Sequence, residues 1–203
     1  MPLVVYIRNL TICSRCKTAM GSVAVFCAAS ESIDSCYVSA AREVGAMLAR
    51  LGVTLVYGGA RFGLMEATAS AVKAAGGHVV GVVPHILEER GRVSHLLDEK
   101  IPCSNLSERK DIMLAQSDVL VALPGGIGTL DEIFHVAASA TIGYHRKRVI
   151  LYNVNGFWQG MIEMLRGMSS TGFLRGNVDD YILVADNIEE LENIILKYTK
   201  WVE

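Results

Sequence analysis

The sequence lacks most of the features that mark membrane, secreted or nucleic-acid-binding proteins. No apolar run reaches the roughly 18 to 20 residues that a membrane-spanning helix needs, and the N-terminus has no charged region followed by an apolar segment and a cleavage site. No run of basic residues is longer than the three at 146–148, and the formal net charge is −2. We therefore expect no membrane or nucleic-acid partner, a small-molecule ligand, and a cytoplasmic location.

The sequence also lacks a disulfide framework, because its five cysteines are an odd, scattered set, which favours reduced thiols. The pair Cys13-x-x-Cys16 has the spacing of zinc and thiol-exchange sites, but no second CxxC or HxxxH exists to complete a zinc site. The pair also precedes the first strand instead of opening a helix after one. We expect no metal ion and no site role for this pair, and we interpret residues 1–21 as an N-terminal extension of unknown role.

What the sequence does have is an alternation of short apolar runs with longer segments of helical periodicity, over residues 22–203. This pattern predicts βαβ units in a single α/β domain, with a doubly wound, Rossmann-like parallel sheet and helices on both faces. Residues 85–104 are more polar, and we interpret them as irregular structure that could form a mobile flap. The predicted strands lie within residues 22–30, 53–59, 78–84, 118–124, 148–153 and 181–186, and the predicted helices within 35–52, 64–75, 106–116, 127–142, 157–168 and from 188 onward.

The stretch "VALPGGIGTLDEIF" (121–134) places three glycines between a predicted strand and a predicted helix. Gly125, Gly126 and Gly128 have no side chains to exclude a ligand, can adopt positive φ, and precede helix amides that attract an anion. Thr129 can add a hydroxyl donor. A tight connection without a ligand remains an alternative, because GGxG alone is a weak signal. The spacing matches neither the dinucleotide fingerprint nor a P-loop, which disfavours a dehydrogenase or an NTPase.

Two acidic and two basic residues accompany this turn. Asp131 and Glu132 follow one turn later, within reach of the sugar of a nucleotide whose phosphate is bound by the glycine turn. Arg109 and Lys110 begin the preceding helix, where cations oppose the helix dipole unless an anion or a carboxylate offsets them. First-turn acids and a solvated helix face are the alternative interpretations.

Taken together, "SERKDIML…SDVLVALPGGIGTLDEI" resembles the LOG ("Lonely guy") family of cytokinin riboside 5′-monophosphate phosphoribohydrolases, through the composite RK…PGGxGTxxE signature. "VFCAAS" and "LVYGGARFGLM" resemble two further loops of that family. The resemblance implies a Rossmann-like homodimer that hydrolyses the N-glycosidic bond of a nucleoside 5′-monophosphate to free base and ribose 5-phosphate, without a metal or organic cofactor.

Site residues follow from the same resemblance. It implies that Glu132 is the catalytic carboxylate and that Arg109 is its cationic partner. It implies a substrate-binding role for a larger set at the strand ends and on the two helices, namely Ser30, Gly58, Gly59, Lys110, Gly125, Gly126, Gly128, Thr129 and Asp131.

Departures from the family pattern concern base recognition more than the phosphate and ribose. Ala29, Ala60 and Glu66 replace family residues in two loops, Ser107–Glu108 replaces Met-His, and residues 138–141 read Ala-Ser-Ala-Thr instead of Thr-Trp-Ala-Gln. The base therefore stays open between adenine, as in AMP, and a prenylated adenine.

Two other classes of protein remain as alternatives. A non-catalytic nucleotide-binding or sensing module would not need both Glu132 and Arg109. A pyridoxal-phosphate decarboxylase would need a Schiff-base lysine, and Lys110 is the only lysine of the signature. We expect a surface or subunit-contact role for Arg61 and ordinary packing for His135.

Overall fold

A computed structural model describes residues 21–199 of the 203-residue chain. Most of the N-terminal extension, including Cys13 and Cys16, lies outside the described residues. The strands are β1 (Ser22–Phe26), β2 (Thr54–Tyr57), β3 (Val79–Pro84), β4 (Glu99–Cys103), β5 (Val119–Ala122), β6 (Val149–Tyr152) and β7 (Ile182–Ala185). The helices are α1 (Ser35–Arg50), α2 (Gly63–Ala74), α3 (His85–Glu89), α4 (Leu106–Ala115), α5 (Ile127–Thr141), α6 (Gln159–Ser170) and α7 (Ile188–Thr199).

The strands form one sheet in the order β4-β3-β2-β1-β5-β6-β7, and every neighbouring pair is parallel. The chain moves outward from β1 to β4 and then returns to the other side of β1 with β5. This order is that of a doubly wound sheet, and it confirms the predicted fold class.

The sheet is buried on both faces because successive side chains of a strand point to opposite sides. Val23 and Val25 of β1 pack with α1, α2 and α7, whereas Ala24 and Phe26 pack with α4, α5 and α6. The near-continuous apolar strands of the sequence are explained by these two layers of helices.

Helix ends follow local sequence signals. Asp34 precedes α1, and its carboxylate accepts a hydrogen bond from the Cys36 amide at 2.9 Å. Asn105 precedes α4 and accepts from the amides of Ser107 and Glu108. The second cap fixes where α4 begins, and therefore which of its residues point toward the sheet.

The structure differs from the sequence prediction at residues 85–104. This segment forms α3 and then β4, an edge strand ("EKIPC") that pairs only with β3 and is mostly exposed. The loop between them is not free, because Arg61 donates its amide to the Arg92 carbonyl at 3.0 Å and Ser94 donates its amide to the Gly59 carbonyl at 2.8 Å. The expected flap is thus tied to the loop after β2. The glycine turn consequently follows the fifth strand, where the sequence placed it after the fourth.

Among the described residues, none of the helices combines the length and the apolar character required to cross a membrane.

Candidate active site

The candidate site lies where β1 and β5 run side by side, at their carboxyl ends. Here the winding of the sheet reverses, and the connections leave the two strands in opposite directions, which opens a crevice in folds of this kind. Backbone hydrogen bonds join the two strand ends: Leu123 donates to Phe26 at 2.9 Å, and Ala28 donates to Pro124 at 3.2 Å. The loops that follow β1 and β5 therefore meet at one place.

A cavity of about 350 Å³ opens at this crevice. Most of the site residues predicted from the sequence line it, and they come from the loop after β1, from α4 and from the start of α5. These are Ser30, Arg109, Lys110, Gly126, Gly128, Thr129, Asp131 and Glu132. The fold thus brings together residues up to about a hundred positions apart in the chain.

The start of α5 offers amides to a ligand. No side chain caps this helix, so its first-turn N–H groups are available to an anion. A Cβ atom added at Gly126 or Gly128 would meet nothing within 4 Å, which shows that the space beside both glycines is open to the cavity. The backbone can therefore approach a phosphate closely.

The glycines of the turn do not use the conformational freedom that the sequence suggested. None of Gly125, Gly126 and Gly128 has positive φ. Gly125 does not line the cavity, and a Cβ added there would overlap the Thr129 hydroxyl and lie 2.6 Å from Thr129 Cβ. The missing side chain at Gly125 makes room for Thr129, which is 3% exposed.

Glu132 and Arg109 form a buried acid–base pair on one wall of the cavity. Arg109 Nη1 lies 3.5 Å from Glu132 Oε1, and the side chains are 11% and 6% exposed. This distance is longer than an ordinary hydrogen bond. Arg109 Nε has no hydrogen-bond partner among residues 21–199. A buried ion pair that is incompletely hydrogen-bonded can still bind a polar ligand.

Burial raises the pKa of the Glu132 carboxyl to about 7. Asp131 raises this pKa further, while the cations Arg109 and Lys110 lower it. Burial and the nearby Glu132 also raise the pKa of the Cys27 thiol, which stays protonated. A carboxyl group that titrates near neutral pH inside a cavity is typical of catalytic sites.

Three successive residues of α4 pair with α5. Beside the Arg109–Glu132 pair, Lys110 Nζ donates to both Asp131 oxygens at 2.7 and 2.8 Å, and Asp111 Oδ1 lies 3.0 Å from His135 Nε2. These pairs fix the two helices relative to each other. His135, expected to pack without a special role, makes this polar contact with Asp111 and does not line the cavity.

Three residues of the loop after β2 lie away from the cavity lining. Gly58 and Gly59, predicted to bind substrate, are not among the lining residues. Gly58 faces the Arg109 guanidinium, and Gly59, with φ of +71°, faces Val83. Arg61 is exposed and stacks on the Phe62 ring, with 5.4 Å from Cζ to the ring centroid, which agrees with the surface role expected for it.

Sequence reasoning missed several apolar residues of the cavity. Cys27, Ala28, Ala29, Met65 and Leu106 all line it. The first three are the residues directly after β1. The rule that ligands bind where the winding of the sheet reverses, at the ends of β1 and β5, could have identified them. Leu106 is 57% exposed at the start of α4. A large apolar side chain at such an exposed position is the sequence signal that could have indicated a ligand-contacting residue.

Within residues 21–199, no three His, Cys, Asp or Glu side chains converge as metal ligands would. The expectation that the protein uses no metal stays a prediction.

The chain is similar in sequence to a known protein family and to characterised enzymes. A family model described as "Possible lysine decarboxylase" matches residues 65–195. The cytokinin riboside 5′-monophosphate phosphoribohydrolase of Mycobacterium tuberculosis is 39% identical over 169 residues, which are 83% of this chain and 90% of that protein. The cytokinin riboside 5′-monophosphate phosphoribohydrolase LOG5 of Arabidopsis thaliana is 36% identical over 175 residues, or 86% of this chain and 77% of that protein.

Solved structures share the fold. The crystal structure of the protein TM1055 superposes with a TM-score of 0.70 at 28% identity, covering 87% of this chain and 99% of that one. The similarity thus extends over nearly all of the described sheet and helices.

Proposed function

The chain belongs to the LOG family, whose family model carries the description "Possible lysine decarboxylase", and we propose that it hydrolyses the N-glycosidic bond of a nucleoside 5′-monophosphate. The products are a free base and ribose 5-phosphate. The observation that carries this proposal is the buried Glu132–Arg109 pair in the same cavity as the open amides of α5.

In the proposed reaction, the start of α5 and Thr129 bind the 5′-phosphate. Glu132 then faces the anomeric carbon, and its ionised form stabilises the oxocarbenium character that develops as the bond to the base breaks. A water molecule adds its hydroxyl to the anomeric carbon, and its proton ends on the departing base, which balances the hydrolysis. Arg109 offsets the charge of this buried carboxylate and keeps it oriented. Lys110 and Asp131 line the same cavity.

Release of free base is the direct test. We expect the protein to liberate adenine from AMP or N6-isopentenyladenine from isopentenyl-AMP, with ribose 5-phosphate as the other product, measured by liquid chromatography. Glu132→Ala should abolish the release, whereas Glu189→Ala, which removes an exposed acid of α7, should leave it unchanged. Base release that survives Glu132→Ala would refute the catalytic assignment, and binding of both nucleotides without hydrolysis would favour the sensing module.

The pH dependence tests the ionised form of Glu132. Since the pKa of this carboxyl is raised to about 7, kcat/KM should fall below a midpoint near pH 7. The midpoint of kcat should lie higher, because a bound phosphate adds negative charge and disfavours the carboxylate further. A rate that rises as the pH falls through 7 would show that the protonated acid is the active form.

A pyridoxal-phosphate decarboxylase would need a lysine in the cavity that can form a Schiff base with the cofactor. Lys110, the one lysine of the described residues that lines the cavity, is held in an ion pair by both Asp131 oxygens, whereas a Schiff base needs a neutral amine. We expect no internal aldimine absorbance after adding pyridoxal phosphate.

We further propose that the protein is a homodimer and acts in the cytoplasm. Exposed large apolar side chains on α5, on α6 and after α6 support association, among them Phe134, Met164, Met168 and Phe173. Light scattering after size-exclusion chromatography should give twice the mass of 22.0 kDa.

A further inference from the structure

Gly58, the first residue after β2, lies against the guanidinium of Arg109. A Cβ atom built on Gly58 would overlap Arg109 Nη2 and would lie 2.6 Å from Cζ and 3.2 Å from Nε. These three atoms are the nearest neighbours of the added Cβ, and all belong to the same guanidinium. Arg109 therefore occupies the space that any side chain at position 58 would need.

Little else in the described residues holds this guanidinium. Arg109 Nε has no hydrogen-bond partner among them, and Nη1 is 3.5 Å from Glu132 Oε1, beyond ordinary hydrogen-bond distance. Yet Arg109 is only 9% exposed, so its position is restricted by packing. The shape of the surface at Gly58 is one of the restrictions.

We propose that Gly58 is a positioning residue, which acts by leaving the space that places the Arg109 guanidinium next to Glu132. This inference rests on the proposed function, and it replaces direct substrate binding as the role of Gly58. The contact is specific, because the neighbouring Gly59 has positive φ and faces Val83 instead.

Gly58 can be replaced by alanine without strain in the backbone. Gly58 does not have positive φ, so alanine can adopt its backbone conformation. The atoms that alanine would displace are the far end of a flexible side chain, which can move without unfolding the core. Gly58→Ala should thus fold and should move Arg109 away from Glu132.

The first readout is kinetic. Gly58→Ala should lower kcat/KM for the nucleotide that the wild type hydrolyses, on the order of 100-fold, as expected when one stabilising donor is misplaced. Gly160→Ala is the matched control, since a Cβ at this exposed position of α6 meets nothing within 4 Å. It should retain wild-type kcat and KM.

A double-mutant cycle separates positioning from substrate contact. In an Arg109→Ala background the displaced guanidinium is absent, so adding Gly58→Ala should change kcat/KM by less than about 2-fold. Wild-type activity of Gly58→Ala, or a loss as large in the Arg109→Ala background as in the wild type, would overturn the proposal. If Gly58→Ala alone fails to fold, the double variant should fold; failure of both would also overturn it.

A second readout needs no substrate. The charged and titratable groups facing the Glu132 carboxyl are Arg109 and Lys110 of α4, Asp131 of α5 and Cys27 after β1. Because Arg109 lowers the pKa of Glu132, moving it away should raise that pKa above about 7 in Gly58→Ala. Carbon-13 NMR of labelled glutamate carboxyls, with Glu132→Gln to identify the signal, measures this shift.

These readouts distinguish the two proposals. A wild type that hydrolyses no nucleotide would defeat the proposed function, while the NMR shift would still test the role of Gly58. If the wild type hydrolyses the nucleotide but the pKa of Glu132 is unchanged in Gly58→Ala, the proposed function stands and the positioning role of Gly58 is refuted.

Discussion

The loops at residues 58–63 and 125–128 are both rich in glycine and lie at the same edge of the sheet, but they use glycine differently. In the first loop, the space beside each glycine is filled by protein. Gly63 has φ of +57°, and a Cβ there would lie 2.8 Å from the backbone carbon of Ala29. Gly59 likewise has positive φ and contacts Val83.

In the second loop, the space is mostly open. Gly126 and Gly128 have no protein atom within 4 Å of an added Cβ and have ordinary φ values, and only Gly125 makes room for a neighbouring side chain, that of Thr129. The first loop thus uses glycine to pack protein against protein, whereas the second leaves the open space in which, under the proposed function, the phosphate binds. Substitutions in the two loops should consequently affect different measurements.

The largest effect is expected just behind the second loop. Glu132→Gln keeps the shape of the side chain but removes the carboxylate, so kcat/KM should fall by about 1000-fold while the protein stays folded. Circular dichroism and initial rates of base release check this. Glu163→Gln, an exposed acid of α6, serves as the matched control and should match the wild type. An active Glu132→Gln variant would place the chemistry outside this region.

In the first loop the expected effect is on stability. Gly63→Ala forces a left-handed residue to carry a side chain and drives it into the backbone of residues 28–30, which should cost about 3 to 4 kcal/mol of unfolding free energy. For a chain of this size, the Tm should fall by roughly 10 °C. Thermal denaturation measures the shift.

Gly52→Ala separates conformational strain from the backbone overlap. Gly52 has φ of +69° but no atom within 4 Å of an added Cβ, so the strain alone should cost about 1 to 2 kcal/mol. Equal losses for Gly63→Ala and Gly52→Ala would show that the first loop is not packed as described.

The pH dependence of stability should distinguish Glu132 from an ordinary surface acid. The pKa of Glu132 in the folded protein is raised to about 7, so the folded state binds more protons than the unfolded state between about pH 4.5 and 7. Stability due to this group is therefore present at low pH and lost as pH rises through that window.

Glu132→Gln removes this loss. Between pH 4 and pH 8, the stability of the variant relative to that of the wild type should therefore rise by about 3 kcal/mol. Denaturant unfolding of both proteins across this range measures the gap, and other titrating groups cancel in the comparison. Parallel stability curves would mean that Glu132 is solvated.

The smallest effect should come from the second loop itself. Gly128→Ala places a methyl group in the open space at the second residue of α5, so KM should rise about 10-fold, equivalent to about 1.4 kcal/mol, with little change in kcat. Stability should rise by about 0.5 to 1 kcal/mol, because alanine favours a helix more than glycine does. Calorimetry of AMP binding to a Glu132→Gln background checks the affinity. Loss of stability without loss of affinity would reverse the comparison.

Local patterns in the sequence predicted most of the strands and helices. Apolar runs predicted six of the seven described strands, because a strand buried on both faces must be almost continuously apolar. They did not predict β4, since an edge strand paired on one side only can be polar, and "EKIPC" has no apolar pattern.

The sequence by itself also indicated that Glu132, Arg109 and the glycine turn belong together, because together they match the composite signature of the LOG family. Only the tertiary structure decided what each glycine does: Gly58 and Gly126 are identical residues in similar loops, and they differ in whether a neighbouring atom or open space lies beside them. The burial that raises the pKa of Glu132 was likewise invisible, since it comes from elements distant in the chain. Periodicity and spacing are local properties, whereas the space and the electric field around a side chain depend on what the fold packs against it.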